Sequence, residues 1–265
     1  MKKIGSISKL SCEFLNPILY KLNIGDESFE LNHFIEKKIK INFLDKINCI
    51  ECGTKIKKTY MQGFCYPCFI NSPKTSECIF KPHLCKAHLG ESKDMNWSKK
   101  YCLTDQYVYL SITSNLKVGV TRFSQIPNRW IDQGAHHAIK FAKVPNRYLA
   151  GMIEVEISKY ISDRTQWRKM LQGNYEQIDL IKKKNELASL LPSEYKKYLI
   201  TDNKIHDLFY PQIKKLEKIK SINIEKTPTI EGVLTGIKGQ YMIIDNLYVL
   251  NVRKYTGYTF EIEFI

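Results

Sequence analysis

The chain is predicted to adopt an α+β fold, in which a small mixed or antiparallel sheet with flanking helices follows a cysteine-pinned segment and lies between β-rich N- and C-terminal parts. Three observations predict it. Apolar and polar side chains alternate across residues 107–112 and again from Leu116, on either side of the turn-forming run Thr113-Ser114-Asn115, which is the pattern of a β-hairpin. Seven of the eight cysteines fall between residues 49 and 102. Both ends alternate with a period of two, in YKLNI, SFELNHF and KKIKINFL at one end and from Ile230 onward at the other.

A length of 265 residues allows one large domain or two to three small ones, with enough apolar content for a real core. No apolar run approaches the roughly 18 residues that span a bilayer. The start MKKIGSISKLSCEF lacks a long apolar stretch and a small-residue cleavage site, so a cytoplasmic protein with no membrane partner is expected.

Residues 1–46 form the β-rich N-terminal part, with three or four strands and turns at Gly25-Asp26 and near Glu36. Residues 47–103 hold the cysteines. In a cytosolic chain these are ligands rather than disulfides. Cys49-x-x-Cys52 and Cys65-x-x-Cys68, twelve residues apart, form a four-cysteine zinc pattern, because each pair on a tight turn supplies two corners of a tetrahedron. This is a zinc-ribbon-like segment. Gly53 and Gly63 suit its two turns. Downstream, CIFKPHLCKAHLG offers Cys78, Cys85 and His88, with His83 near and Cys102 further on, and a second zinc site of Cys78, Cys85, His88 and Cys102 is expected. Four protein ligands close the coordination sphere, so both metals are structural. Cys12 stands apart as a small buried hydrophobe.

Residues 104–172 read strand, strand, helix, strand, helix, helix, with Pro127 in a first helical turn, Gly134 at a helix end, and Asn146 and Asp163 as N-caps. Residues 173–228 are lysine-rich and read as a helical segment broken at Pro192 and Pro211. Residues 229–265 return to strands, with turn signals at Lys238-Gly239, Asp245-Asn246 and Thr256-Gly257, and are expected to pair with 1–46. Inside the hairpin, Gly119 sits in a strand where glycine costs stability and marks close approach of a backbone or ligand.

The formal charge of +14 fits a nucleic-acid partner, DNA or RNA, since lysine and arginine displace counterions from phosphates. It equally fits drift toward lysine in an A/T-rich genome. The arginines are more telling. Only six occur, and Arg122, Arg129, Arg147, Arg164 and Arg168 fall together while Arg253 lies apart. Positions that keep a planar guanidinium against such drift are candidates for phosphate contacts or buried ion pairs. Arg164 and Arg168, four apart beside Trp167, form either a nucleic-acid contact or a brace with Asp163 and Glu154. His136 and His137 are candidates for phosphate contacts or ordinary surface residues.

Tyr107-Val108-Tyr109, Lys117-Val118-Gly119-Val120-Thr121, Arg129 and Glu154 together resemble the GIY-YIG nuclease superfamily, over about residues 104–172. Through CGTKIKK, GFCYPCF, LKVGVTR, IPNRWIDQGA and IKGQY, nearly the whole chain is similar to an uncharacterised bacterial family known as domain of unknown function 2797, which carries no established activity. The superfamily resemblance implies that Tyr109 matches the tyrosine of the first triplet, Gly119 the glycine of the second, Arg129 the helix arginine, and Glu154 the carboxylate for magnesium or manganese. Two residues depart from the pattern: Tyr107 replaces the first glycine, and Lys117 the second tyrosine.

The implied chemistry is phosphodiester hydrolysis. Tyr109 acts as base or orients a water, Lys117 lowers its pKa or holds the phosphate, and Arg129 clamps the phosphate. Each residue has a plainer alternative: sheet packing for Tyr107 and Tyr109, a pair with Trp130 for Arg129, and a helix ion pair with Arg147 or Lys159 for Glu154. Glu156 competes as a ligand but faces another side of the helix. Arg147, Gly151 and Glu154 share one face. Three functions follow: a metal-dependent nuclease-like protein acting on DNA or structured nucleic acid; a catalytically inactive zinc-containing RNA- or DNA-binding protein; and an interaction scaffold whose charge is drift. Oligomeric state is not legible.

Overall fold

The computed structural model describes residues 1–162 and 164–265, so Asp163, expected as a cap and an ion-pair partner, lies outside the described residues. The chain is a mixed α+β protein that divides into two compact units: Met1–Ile70 with Leu171–Gly173 and Leu208–Ile265, and Asn71–Met170 with Asn174–Asp207. No helix among the described residues is long and apolar enough to cross a membrane.

The first unit joins the two ends of the chain in one sheet. Lys2–Ser6 pairs with Tyr258–Phe264, which pairs with Lys38–Asn48, and that strand pairs in turn with Thr229–Lys238. Tyr241–Ile244 and Tyr248–Asn251 continue the antiparallel order. Strand period explains the core, since Tyr258, Phe260, Ile262 and Phe264 are buried while the residues between them are half-exposed. Ile262 and Phe264 lie opposite Ile41 and Ile39. The turns expected from the sequence are present: Asp245 and Asn246 both take positive φ (53° and 52°), as the central residues of a type I′ turn do, and Gly239 and Gly257 take φ of 60° and 91°. Beside this sheet, Ser11–Glu13, Leu19–Ile24 and Glu27–Glu30 make a small antiparallel one, to which the Gln240 amide ties Leu10 by accepting from its N–H (2.8 Å) and donating to its carbonyl (3.0 Å).

Lys238 ends one of these strands with its side chain buried and 5.2 Å from the Tyr210 ring. Burial, with Lys215 nearby, pulls its pKa down to about 7. Between that value and the unfolded lysine pKa of about 10.4 the unfolded chain binds a proton that the folded chain has released, so stability rises with pH across this window. Below pH 7 the folded state carries the full cost of the buried charge. Lys238→Met is therefore expected to stabilise the chain by roughly 3 kcal/mol at pH 6, with the gain shrinking toward pH 10. Urea denaturation at both pH values checks this, and an equal effect at both would refute it.

The second unit is built on a four-stranded antiparallel sheet in the order Ile205–Asp207, His137–Val144, Gln106–Ile112, Leu116–Arg122. All seven residues of the central strand, Gln106–Ile112, are buried, so both of its faces are covered. On one face Val108, Leu110 and Val118 pack in a core with Ala150, Ile153 and Ile157 of the helix Arg147–Ser158. That helix begins where Asn146 Oδ1 accepts from the Leu149 N–H (2.9 Å), the cap expected from the sequence. On the opposite face, register sets Tyr109 against Gly119 and Ser111 against Lys117.

Strand, strand, helix, strand, helix, helix is the order found across 104–172. The helical reading of 173–228 needs correction, because helix is present only at Leu180–Leu190 and Ser193–Lys196. Ile205–Asp207 is instead the edge strand of the sheet, with Ile205 opposite Ile139. Backbone pairing on an open sheet edge outweighs the weak helix preference of a lysine-rich run. The cysteine segment 47–103 likewise does not form one body, since the boundary between the units falls at Ile70/Asn71.

Candidate functional site

In the second unit, the hairpin strand Leu116–Arg122, the helix Asn128–Asp132 with the residues after it, and the long helix Arg147–Ser158 surround a cavity of about 260 Å³. Lys117, Gly119, Arg129 and Glu154 all line it. Residues up to 37 positions apart in sequence thus meet at one place. Glu154 is half-buried and is the one carboxylate among the described residues that line the cavity. Glu156, two residues on, is instead paired with Lys159 (2.6 Å). Arg147, the other alternative partner considered for Glu154, donates to the carbonyls of Cys78 (3.4 Å) and Tyr101 (3.3 Å).

Tyr109 stands one layer behind. It is fully buried, and its hydroxyl lies beneath Gly119, where a Cβ would come within 2.6 Å of Oη and 2.7 Å of Cζ. This is the close approach that the strand glycine implied. Gln133 links the phenol to the cavity: with its amide oriented to suit the guanidinium, Oε1 accepts from Arg129 Nη2 (3.2 Å) and Nε (3.3 Å), and Nε2 donates to Tyr109 Oη (2.9 Å). Burial pushes the Tyr109 phenol up from its ordinary pKa despite the opposing pull of Arg129. It is a neutral hydroxyl at pH 7. Trp130 is buried with its ring edge-on to Tyr109 (6.0 Å between centroids), while Arg129 faces the cavity. Tyr107 packs against Phe123 (5.8 Å), as its sheet-packing alternative held.

The cysteines gather in two clusters. Cys49, Cys52, Cys65 and Cys68 bring four sulfurs within 4.8 Å of one another in the first unit. The Cys65 N–H donates to Cys49 Sγ (3.2 Å) and the Cys68 N–H to Cys65 Sγ (3.5 Å), contacts that favour thiolate. Gly53 and Gly63, with φ of 73° and 125°, make the tight turns. All the cysteines are free thiols. This donor set has the composition and closeness of a structural zinc site.

Cys78, Cys85 and Cys102 form the second cluster, in the second unit. Hydrogen bonds from Cys78 and Cys85, with the Arg147 charge, hold the Cys102 thiol well below its ordinary pKa. Three thiols also suit zinc, with a fourth position left over. The expected fourth ligand, His88, is not among the gathered groups, because it sits in an exposed turn with its ring stacked on Tyr148 (4.3 Å).

A family profile described as "Protein of unknown function (DUF2797)" matches residues 36–260. The chain belongs to the DUF2797 family. No curated protein and no solved structure matches it.

Arg122, Arg147, Arg164 and Arg168 of this DUF2797 chain do not line the cavity. Arg122 stacks on the Tyr101 ring (4.5 Å), Arg147 braces the second thiol cluster, and Arg168 covers the Trp167 ring (4.4 Å). Arg164 precedes the helix Trp167–Gln172, so it shares no helical face with Arg168. His136 stacks on Tyr175 (4.0 Å), and His137 pairs with Asp207 (2.7 Å). Gln133 escaped the sequence reading, although its spacing of four from Arg129 puts both on one helical face. Lys81 and His83, which also line the cavity, carried no comparable signal.

Proposed function

We propose that this chain is a metal-dependent nuclease-like protein that hydrolyses phosphodiester bonds in DNA or structured nucleic acid. The observation that carries the reading is the convergence of Lys117, Gly119, Arg129 and Glu154 on one cavity backed by Tyr109. A paired guanidinium is suited to clamp a phosphate and to stabilise transition-state charge. Lys117 supplies a second cation for the scissile phosphate. Glu154 would hold magnesium or manganese, and a lone carboxylate suits a hard cation that keeps most of its waters. When bound, that ion supplies charge neutralisation at the phosphate and the leaving oxygen. Tyr109, buried and neutral, acts as a positioning residue that fixes Gln133 and through it Arg129.

A second reading is a zinc-containing RNA- or DNA-binding protein that holds phosphate without cutting it. It draws on the single carboxylate and on a phenol too buried to serve as base. Labelled branched, duplex and single-stranded DNA and RNA, incubated with magnesium or manganese, separate the two. Cleavage by wild type that falls by about 10²-fold or more in Glu154→Ala and Arg129→Ala is the expected result. Salt-sensitive binding without cutting would select the second reading.

A further inference from the structure

The segment between Cys78 and Cys85 belongs to two places at once. Its ends carry two thiols of the second cluster, and its middle residues Ile79, Lys81 and His83 line the cavity opposite Lys117 and Arg129. No strand or long helix runs through it. Two short 3₁₀ turns, Glu77–Ile79 and Pro82–Leu84, supply its internal bonds.

The rest of its support comes from the thiols and from the long helix. Arg147 donates to the Cys78 and Tyr101 carbonyls, and the Arg147 N–H donates to the Cys102 carbonyl (2.8 Å). One turn on, bare backbone at Gly151 admits the segment. A Cβ there would lie 2.1 Å from His83 N and 2.4 Å from the Pro82 carbonyl carbon.

We propose that the Cys78–Cys85–Cys102 centre, with its metal, is the positioning device for this cavity wall, and that Lys81 and His83 on it contact the phosphate of a bound nucleotide. The inference rests on reading the cavity as a phosphate site. Lys81, Lys117 and Arg129 against the single Glu154 give the cavity a cationic excess that suits such an anion. Lys81 is paired with Glu77 (2.9 Å), but both side chains are more than half exposed, so the pair is weak and Lys81 exchanges readily onto a phosphate. A histidine ring N–H supplies a further donor. A structural metal here fixes a short loop whose apolar side chains Phe80 and Leu84 stay exposed and so hold it little, which is how such centres contribute to folding.

The test uses the zinc-loaded full chain with thymidine 3′,5′-bisphosphate as probe and no other divalent ion. The six histidine rings, read by NMR, give a site-resolved signal. The His83 resonance is expected to move on titration while that of His33 stays still. Lys81→Ala and His83→Ala should each weaken the probe by about tenfold at unchanged zinc content, and Lys81→Arg should restore most of the affinity. Gly151→Ala should retain both metals and lose the His83 response, and Cys78→Ser should lose one zinc equivalent together with that response.

Wild-type affinity in both Lys81→Ala and His83→Ala, or a His83 resonance unmoved by the probe, would overturn the wall assignment. A folded Cys78→Ser chain that binds the probe like wild type would overturn the role of the metal. A wild-type chain that shows the His83 response but cuts no nucleic acid would sink hydrolysis and leave this inference standing.

Discussion

Stripping the metal from Cys49, Cys52, Cys65 and Cys68 is expected to unfold the segment from Asn48 to Ile70 and to cost the chain more stability than any single core substitution. The reason lies in what the segment lacks. Ile50 is 47 % exposed, and Cys49, Phe64 and Cys65 are its only buried residues with apolar side chains. Apart from Asn48 N–H to Gly257 O, its backbone bonds are few and stay within the segment, among them Cys49 N–H to Thr54 O, Gly53 N–H to Cys49 O and Ile50 N–H to Gly63 O. Met61 and Gln62 take φ of 44° and 61°, a left-handed conformation that costs free energy in non-glycine residues. Four thiols cannot offset this alone, but zinc bound to them contributes on the order of 10 kcal/mol coupled to folding. Native mass spectrometry before and after a strong chelator, read beside thermal denaturation and hydrogen exchange, checks it. Cys65→Ser should reproduce the chelated state. Unchanged exchange protection across 48–70 after zinc loss would contradict the expectation.

This centre was legible because the chemistry of a tetrahedral ion demands two close pairs of thiols, and that demand is local in sequence. The hairpin was legible for a similar reason: strand alternation, the Thr113-Ser114-Asn115 turn and Gly119 are all short-range signals, and the structure places Tyr109 opposite Gly119 as a hairpin register requires. His88 was not. Its spacing from Cys85 suits a ligand, yet stacking on Tyr148, sixty residues away, decides where the ring lies. Lys81 and His83 were illegible because their approach to the cavity depends on bare backbone at Gly151 in another element. The residues after Lys196 misled because lysine-rich composition reports solvation, whereas the strand Ile205–Asp207 is specified by the open edge at Ile139. Local chemistry was readable, and the long-range contacts that place His88, Lys81 and His83 were not.

Under the nuclease reading proposed above, Gly119→Ala is expected to abolish most cleavage while leaving the fold recognisable. The added methyl would sit 2.6 Å from Tyr109 Oη, 2.7 Å from Cζ and 3.2 Å from Cε1, and the phenol is fully buried with Trp130 against its ring. A rigid ring in a packed site cannot yield as the end of a lysine would, so either the strand or Tyr109 moves. Overpacking of this kind costs about 1–3 kcal/mol of stability. The functional loss should be larger. Tyr109 Oη holds Gln133 at 2.9 Å, and Gln133 holds the Arg129 guanidinium at 3.2 and 3.3 Å, so a displacement of the ring is passed to the clamp. A misplacement of about 1 Å at a positioning group costs on the order of 10²-fold in rate. Tyr109→Phe in the same chain removes the nearest clash but leaves the ring carbon at 2.7 Å and deletes the bond to Gln133, so it should not restore activity. Thermal denaturation and the nucleic-acid cleavage assay, run side by side on both variants, give the comparison. Wild-type cleavage by Gly119→Ala would mean that Tyr109 does not position Arg129, and the site would have to be rebuilt around Lys117 and Glu154 alone.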